Sequence, residues 1–410
     1  MPKAISYTKG SIVYFEGDID ERIFILKQGQ LVIMRKNIET QGTESELLKS
    51  GEFFGIRSAI GHVPREETVT ALSECQCLVL SIPEFEALFS SNKQLMMKML
   101  KVFSGQLRQV HKKIDSVLKL TEEPDLQEGM MSVARVFFED ERWQSCVDLC
   151  QKLSTLHPEI SKDRDFLQMS KTANANLIKY LKENPEESYA PTPKSNSGVF
   201  SLPAFKRFSK TYNDGQVIIA EFEKGETFYL IEKGTVQLTK CVNGMNKNLD
   251  ILKPGEIFGE MAILDNSPRS ATCVARGKVD CLEFNKANFE ILITGNPQIG
   301  LILLKSFCKR VYDQNRRFKI LTLKDNQAKI ADVFCMFDEM NPIPNPMEDK
   351  RKFNLKLTDV AHWAGLSIDE TRDEINKLVA SKRIEVFDDY IVIPRIREMK
   401  RIVDTKSMIK

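Results

Sequence analysis

The chain has 410 residues, 42% of them apolar and 28% charged, so it is too long for one ordinary core and too apolar for a disordered chain. Fifty-nine basic residues against fifty-seven acidic leave a formal charge of +2, which excludes a protein held to nucleic acid or a membrane by bulk charge. Three or more globular domains are expected, with any charge-driven binding confined to local patches.

The first ten residues, MPKAISYTKG, hold no apolar signal core. The most apolar later run, ILITGNPQIGLILL, is cut by Asn296 and Pro297 well short of a spanning helix. A cytoplasmic protein with no membrane partner is the expectation. Nine cysteines lack the even spacing of a disulfide framework, and Cys75, Cys77, Cys273 and Cys281 sit in apolar alternations where a reduced thiol packs as a small hydrophobe. His62, His111, His157 and His362 are scattered without ligand spacing, so neither a metal nor a cofactor is expected.

Residues 1–119 read as short strands punctuated by glycine, followed by a helix. GSIVYFEGDIDERIFILKQGQLVI, from Gly10, matches GQVIIAEFEKGETFYLIEKGTVQL, from Gly215, at an offset of 205. GEFFGIRSAIGHVPREETVTA at 51–71 matches GEIFGEMAILDNSPRSATCVA at 255–275 at an offset of 204. One unit is therefore written twice, and many short strands with glycine turns predict a small β barrel or jelly roll. After each barrel the match extends along a helix: Leu100, Phe103, Leu107, Val110, Ile114 and Val117 align with Leu304, Phe307, Val311, Gln314, Phe318 and Leu321. Steps of three and four residues form a heptad stripe, which buries best against a second helix of its kind, although each stripe packing on its own barrel is the alternative.

Residues 120–183 read as helical, with Ala134, Phe137, Cys146, Cys150 and Pro158 in the register of a single tetratricopeptide-like (TPR-like) hairpin. One such unit cannot bury its face alone, so a spacer packed against a neighbour is expected. Residues 184–201, rich in Pro, Ser and Asn, read as a flexible linker. The second barrel and its helix occupy 202–318. Residues 319–410 give a helix, a break at Pro342, Pro344 and Pro346, then helix, Gly365 turn, helix, strand, turn at Asp388 and Asp389, and strand, which parses as a winged helix-turn-helix. The fold class is thus α+β, five segments in all.

Chemistry is concentrated in FGEMAILDNSPRSA, residues 258–271. Gly259 permits close backbone approach, and the amides that follow open a short helix and offer N–H groups to an anion. Arg269 brings a rigid fork suited to phosphate oxygens, and Glu260 a carboxylate that accepts from a hydroxyl. Phosphate with hydroxyl suggests a ribose phosphate.

The ordered run FGE-MA-IL-xxx-PRSAT resembles the phosphate-binding cassette of the cyclic nucleotide-binding domain, shared by bacterial catabolite-activator (CRP/FNR) regulators and protein kinase A regulatory subunits. The resemblance covers both barrels. It implies that Glu260 accepts the ribose 2′-OH, that Arg269 pairs with the cyclic phosphate, and that the backbone at Gly259, Met261 and Ala262, with Ser270, completes the cradle of a cyclic mononucleotide. Ser270 suits either a bacterial cAMP site or a cGMP site, and cAMP is the expectation. The same resemblance places base contacts on Gln314 and Asn315, though a lone amide in an apolar seam also serves as a register device.

The first barrel departs from this pattern. Ile56 stands at the position of Glu260 and cannot accept a hydroxyl, and Glu66 stands at that of Ser270, a carboxylate beside the would-be phosphate. Loss of nucleotide binding is expected there, with Glu66 and Glu67 available to occupy Arg65. Relatives pair through the helix after the barrel, so either an intramolecular pseudo-dimer or a homodimer is implied.

AGLSIDETRDEINKL in the C-terminal part resembles the CRP/FNR helix-turn-helix, with Ser367, Arg372, Lys377, Lys382 and Arg383 the candidate contacts to double-stranded DNA. It departs from that pattern at Ile368 and Asp373, where arginines are common. Residues 319–410 hold seventeen basic and sixteen acidic residues, so no basic footprint marks the region. Two functions are carried forward: a cyclic-nucleotide-responsive transcriptional regulator, and a cyclic-nucleotide-gated interaction module whose winged helix does not bind DNA. No catalytic carboxylate pair, nucleophile-base arrangement or triphosphate loop is present, so an enzyme is not expected. By analogy with the family, ligand would act on the helix at Gln314 and Asn315 and reorient a hinge near 319–326.

Overall fold

The computed structural model describes residues 2–36, 42–117, 125–184, 207–242, 244–340, 348–388 and 390–407. The expected linker beyond Asn184, the Pro342–Pro346 break and Asp389 of the wing turn lie outside them.

Glycine turns and alternating apolar residues produce the first barrel as read. Its strands are β1 (Lys3–Tyr7), β2 (Ile12–Tyr14), β3 (Ile23–Gln28), β4 (Leu31–Lys36), β5 (Thr43–Leu48), β6 (Phe53–Phe54), β7 (Thr68–Ala71) and β8 (Cys75–Leu80). They form two antiparallel four-stranded sheets, ordered β1-β8-β3-β6 and β2-β7-β4-β5, and share one core of residues such as Phe24, Leu26, Leu31, Ile33 and Val69. Short helix α1 (Ile56–Gly61) follows β6; α2 (Ile82–Ser91) and the long α3 (Lys93–Val117) follow the barrel.

The spacer is α4 (Leu126–Glu139), α5 (Trp143–Leu156), a 3-10 turn (Pro158–Lys162) and α6 (Arg164–Glu183). Asp163 caps α6, its carboxylate accepting from the Asp165 and Phe166 amides at 2.8 and 3.0 Å. The second barrel comprises β9 (Ser209–Tyr212), β10 (Val217–Ile219), β11 (Thr227–Val242), β12 (Met245–Leu252), β13 (Ile257–Phe258) and β14 (Thr272–Asn285), with α7 (Glu260–Asp265) after β13 and α8 (Lys286–Gly295) after β14. Here the long β11 and β14 run through register shifts between Ile231 and Thr235, so one six-stranded sheet replaces the two of the first barrel.

The chain continues through α9 (Pro297–Thr322), α10 (Asn326–Met340), β15 (Arg351–Phe353), α11 (Leu357–Ala364), α12 (Ile368–Ala380), β16 (Glu385–Val386), β17 (Ile391–Ile393) and α13 (Ile396–Ser407). α11 ends at Gly365 in the left-handed conformation, and Ser367 opens α12 with a capping box to Glu370. The three short strands pair in the order β15-β17-β16. All nine cysteines are free thiols and eight are buried, as the apolar alternations around four of them suggest.

Two compact units result: residues 1–119 with 297–410, and residues 120–296. In the first, α9 packs along α3 and against α1 and α2. The C-terminal halves of both stripes meet in one cluster of Val110, Ile114, Phe318 and Leu321. The expected hinge near 319–326 is braced. Arg316 donates to both Asp332 oxygens of α10 at 2.9 and 3.1 Å and to Glu339 at 2.8 Å, and Lys406 of α13 reaches Asp325 at 3.0 Å. Burial alone would lower the Arg316 pKa, but Asp332 and Glu339 hold it above its ordinary value. In the second unit the spacer helices share a core with the barrel, in which Met130, Phe137, Cys146 and Leu149 lie with Val217, Ala220 and Val274.

Phe318→Ala is expected to lower the stability of the first unit by about 3–5 kcal/mol, the cost of emptying a buried aromatic site. Urea denaturation of the full chain, followed by far-UV circular dichroism, measures it.

Candidate functional site

The cassette of the second barrel is assembled from three strand ends. Gly259, between β13 and α7, has φ of 80°, which a residue with a side chain adopts only under strain, and a Cβ there would lie 2.9 Å from Arg269 Nη1 and 2.7 Å from Ile219 Cδ1. Arg269, just before β14, is 5% exposed. It donates from Nη1 to the Gly259 carbonyl at 2.6 Å and from Nη2 to the Thr227 carbonyl at 2.7 Å and hydroxyl at 3.1 Å. The Thr227 hydroxyl donates in turn to Tyr229 at 3.1 Å, and burial pushes the Tyr229 phenol up to about 12. Arg269 Nε has no hydrogen-bond partner among the described residues, and its nearest carboxylate is Glu223 at 3.9 Å.

Glu260, Met261 and Ala262 open α7 and are buried, while Ser270 is half-buried beside Arg269. Gly225, on the turn before β11, lets its backbone approach α7 and the guanidinium closely: a Cβ there would lie 2.1 Å from Ala262 Cβ and 3.3 Å from Arg269 Cζ. The segment thus carries a buried cation, a buried carboxylate and two closely approaching glycines, residue types suited to an anion joined to a hydroxyl-bearing ring.

The first barrel anchors its arginine in the same way and then fills the space. Arg65 Nη1 donates to the Gly55 carbonyl at 2.6 Å and Nη2 to the Arg22 carbonyl at 2.6 Å. Nη1 also donates to the Ser58 hydroxyl at 2.7 Å, the guanidinium lies 4.4 Å over the Tyr14 ring, and Asp20 stands 3.6 Å away. Asp20 occupies the position of Gly225. The expectation that Glu66 and Glu67 hold Arg65 is corrected, because both pair with Arg57 instead, at 3.1 and 3.3 Å. Arg57 stands where the second barrel has Met261, a difference the sequence displayed but the family pattern gave no reason to weigh. Burial alone would raise the Glu67 carboxyl, yet Arg57 and Arg35 hold it below its ordinary 4.5.

Gln314 and Asn315 belong to the unit of the first barrel, where both are half-buried on α9. The Asn315 amide donates to Glu66 at 3.0 Å, a contact the sequence reading missed. Of the candidate DNA contacts, Ser367 is committed to capping α12, Arg372 is 2.7 Å from Asp369, Lys377 is 2.7 Å from Glu374, and Arg383 is 3.7 Å from Glu398. Lys382 follows α12 with φ of 56° and is exposed. No cluster of His, Cys, Asp and Glu able to hold a metal is present among the described residues, and no single described helix is long and apolar enough to cross a membrane.

Two segments, 4–92 and 209–296, match the cyclic nucleotide-binding domain family, and the chain therefore carries two such domains. A cAMP-dependent protein kinase regulatory subunit from Mucor circinelloides f. lusitanicus is 37% identical over 82 residues, covering 20% of this chain and 19% of that one. The cyclic AMP receptor protein of Thermus thermophilus is 28% identical over 132 residues, 32% of this chain and 60% of that one. Among solved structures, cAMP-bound PfPKA-R (141–441) is similar at 20% identity and a TM-score of 0.22, covering 78% of this chain and 79% of that one. The chain spans less than two thirds of the length of these curated relatives.

The sign of the Glu67 shift fixes a pH dependence. Because its folded pKa lies below 4.5, its contribution is complete above the ordinary carboxylate range and is lost as pH falls through the folded value. Glu67→Gln is expected to destabilise the first unit by about 1–3 kcal/mol near neutral pH, since it removes one of the two carboxylates that face the buried Arg57 guanidinium and leaves Glu66 alone with it. Urea titrations near pH 7 and near pH 3.5 should show the gap to wild type narrowing at the lower pH.

Proposed function

We propose that the protein is a cyclic-nucleotide-responsive regulator that binds cAMP in its second barrel through Arg269, Glu260, Ser270 and the backbone of Gly259, Met261 and Ala262. One observation carries this reading: Arg269 is buried and anchored on two backbone carbonyls, its nearest carboxylate is Glu223 at 3.9 Å, and glycine stands at the position from which Asp20 meets the arginine of the first barrel. A buried cation in that state favours an anionic ligand. Similarity to a cyclic AMP receptor protein and to a cAMP-dependent kinase regulatory subunit favours cAMP over cGMP. Of the two residues expected to meet the base, Asn315 donates instead to Glu66 of the first barrel. The first barrel, its arginine enclosed by Asp20, Ser58 and Tyr14, is proposed not to bind nucleotide.

The output region is read first as a DNA-binding winged helix, supported by the α11-turn-α12 order and the β15-β17-β16 sheet behind it. A second reading, in which that region binds protein, is favoured by α12 itself. Both of its cations are paired with carboxylates one turn away, and Ile368, Val379, Val386 and Phe387 on α12 and the wing are exposed. A helix so neutralised offers little to phosphates.

Isothermal titration of the full chain should show binding of cAMP, and Arg269→Ala should weaken it by about 2–5 kcal/mol, the cost of removing one partner of a buried charge pair. Unchanged affinity in that variant excludes the site. Gel shifts on random duplex at low salt, with and without cAMP, choose between the outputs: salt-sensitive retardation supports the DNA reader, and its absence at all nucleotide concentrations supports the protein-binding reading.

A further inference from the structure

The loop that carries Glu223 joins the arginine of the second barrel to the helical spacer. On the barrel side it is hydrogen-bonded to the backbone of Arg269 itself: the Phe222 amide donates to the Arg269 carbonyl at 3.0 Å, and the Arg269 amide to the Glu223 carbonyl at 2.9 Å. On the spacer side, Phe222 adopts φ of 71°, a conformation that strains a non-glycine residue and persists only where packing imposes it. The packing is supplied by α4, where a Cβ on Gly129 would come within 2.7 Å of the Phe222 ring. Next to it, Lys152 of α5 donates to Glu223 Oε2 at 2.9 Å, while Glu223 Oε1 remains 3.9 Å from Arg269 Nε. Lys152 and Glu223 line a cleft of 450 Å³ between α5 and the barrel.

The first barrel shows what the loop does without such a partner. Asp18 stands at the position of Glu223 and keeps the same backbone bond, since the Arg65 amide donates to the Asp18 carbonyl at 2.9 Å. Its shorter side chain accepts from the Phe15 amide at 2.8 Å and stays within its own loop. Glu223, one methylene longer, reaches toward the arginine, and a lysine from another element engages it.

We infer that Lys152 is a positioning residue for the anion site: it draws the Glu223 carboxylate off Arg269, and so keeps the guanidinium Nε open to the cyclic phosphate. This rests on the cAMP reading of the second barrel. Without Lys152, Glu223 closes on Nε and competes with the ligand as an internal carboxylate. The spacer is then part of the nucleotide site, and whatever displaces α5 lowers affinity.

The test is a set of cAMP titrations on the full chain, in wild type, Arg269→Ala, Lys152→Ala, Lys152→Arg, Glu223→Gln and the Lys152→Ala/Glu223→Gln double variant. Lys152→Ala is expected to weaken binding roughly tenfold, within the usual range of coupling between sites. Lys152→Arg should bind as wild type, Glu223→Gln at least as tightly, and the double variant like Glu223→Gln alone. Wild-type affinity in Lys152→Ala, or a loss that persists when Glu223 is also neutral, overturns the inference while leaving the nucleotide site standing. Wild-type protein that binds neither cAMP nor cGMP overturns the cAMP reading, and the inference with it.

Discussion

A guanidinium sewn into a barrel wall by two backbone carbonyls is the constraint on which both halves of the chain depend. Arg65 and Arg269 are held alike, Nη1 on the carbonyl of a left-handed glycine and Nη2 on a carbonyl at the start of β3 or β11. Carbonyls fix the position of the cation but leave its charge uncompensated, and a buried charge is costly until a negative group meets it. Each barrel meets that demand differently. The first supplies Asp20, with Tyr14 stacked below, from its own chain. The second places glycine where Asp20 would be and leaves the compensation to Glu223 at a distance or to a bound anion.

Divergence after duplication is therefore a change of occupant rather than of frame. Three replacements act together in the first barrel: Asp20 for Gly225, Ile56 for Glu260, and Glu66 for Ser270. Glu66 would oppose a phosphate, yet in the folded chain it is satisfied twice over, by Arg57 and by Asn315 of α9. A contact that a ligand could make between barrel and helix is made permanently by side chains. The same side chains help hold α9 where it packs on α3 and α1.

The repeat was legible because strand patterning, glycine turns and the cassette survive as ordered runs, and backbone demands at Gly55 and Gly259 keep the register free of gaps. The heptads were legible for the same reason: apolar stripes state their period whatever they pack on. Partners were less so. Assigning Glu66 and Glu67 to Arg65 followed sequence proximity, but Arg65 turns inward to the Gly55 and Arg22 carbonyls, while Arg57 on α1 lies where both glutamates reach it. Asn315 could not be matched to Glu66 from sequence, because they are 249 residues apart and only the pairing of α9 with the first barrel joins them. Lys152 and Glu223 gave no signal of any kind, since a lysine on a helix and a glutamate on a loop are ordinary surface residues until the elements that carry them pack.

Beyond α9, charge again decides how the chain behaves mechanically. A hinge needs a segment whose bonds are cheap to break, and residues 319–326 are not one: Ile320 and Leu321 are buried in apolar clusters, and Asp325 accepts from the Ala328 amide and from Lys406. The residues on either side bridge them. Arg316 on one helix grips Asp332 and Glu339 on the next, and Tyr312 adds a hydroxyl bond to Glu339 at 3.3 Å. Buried multidentate pairs of this kind contribute little net stability relative to apolar packing, but they permit one geometry and penalise displacement steeply, because any shift strands charge away from water. Motion of α9 would accordingly carry α10 with it as a lever rather than bend at the junction. α9, seated on α1, α2 and α3 and tied to α10 through Arg316, is therefore a continuous rigid connection from the first barrel to the C-terminal region.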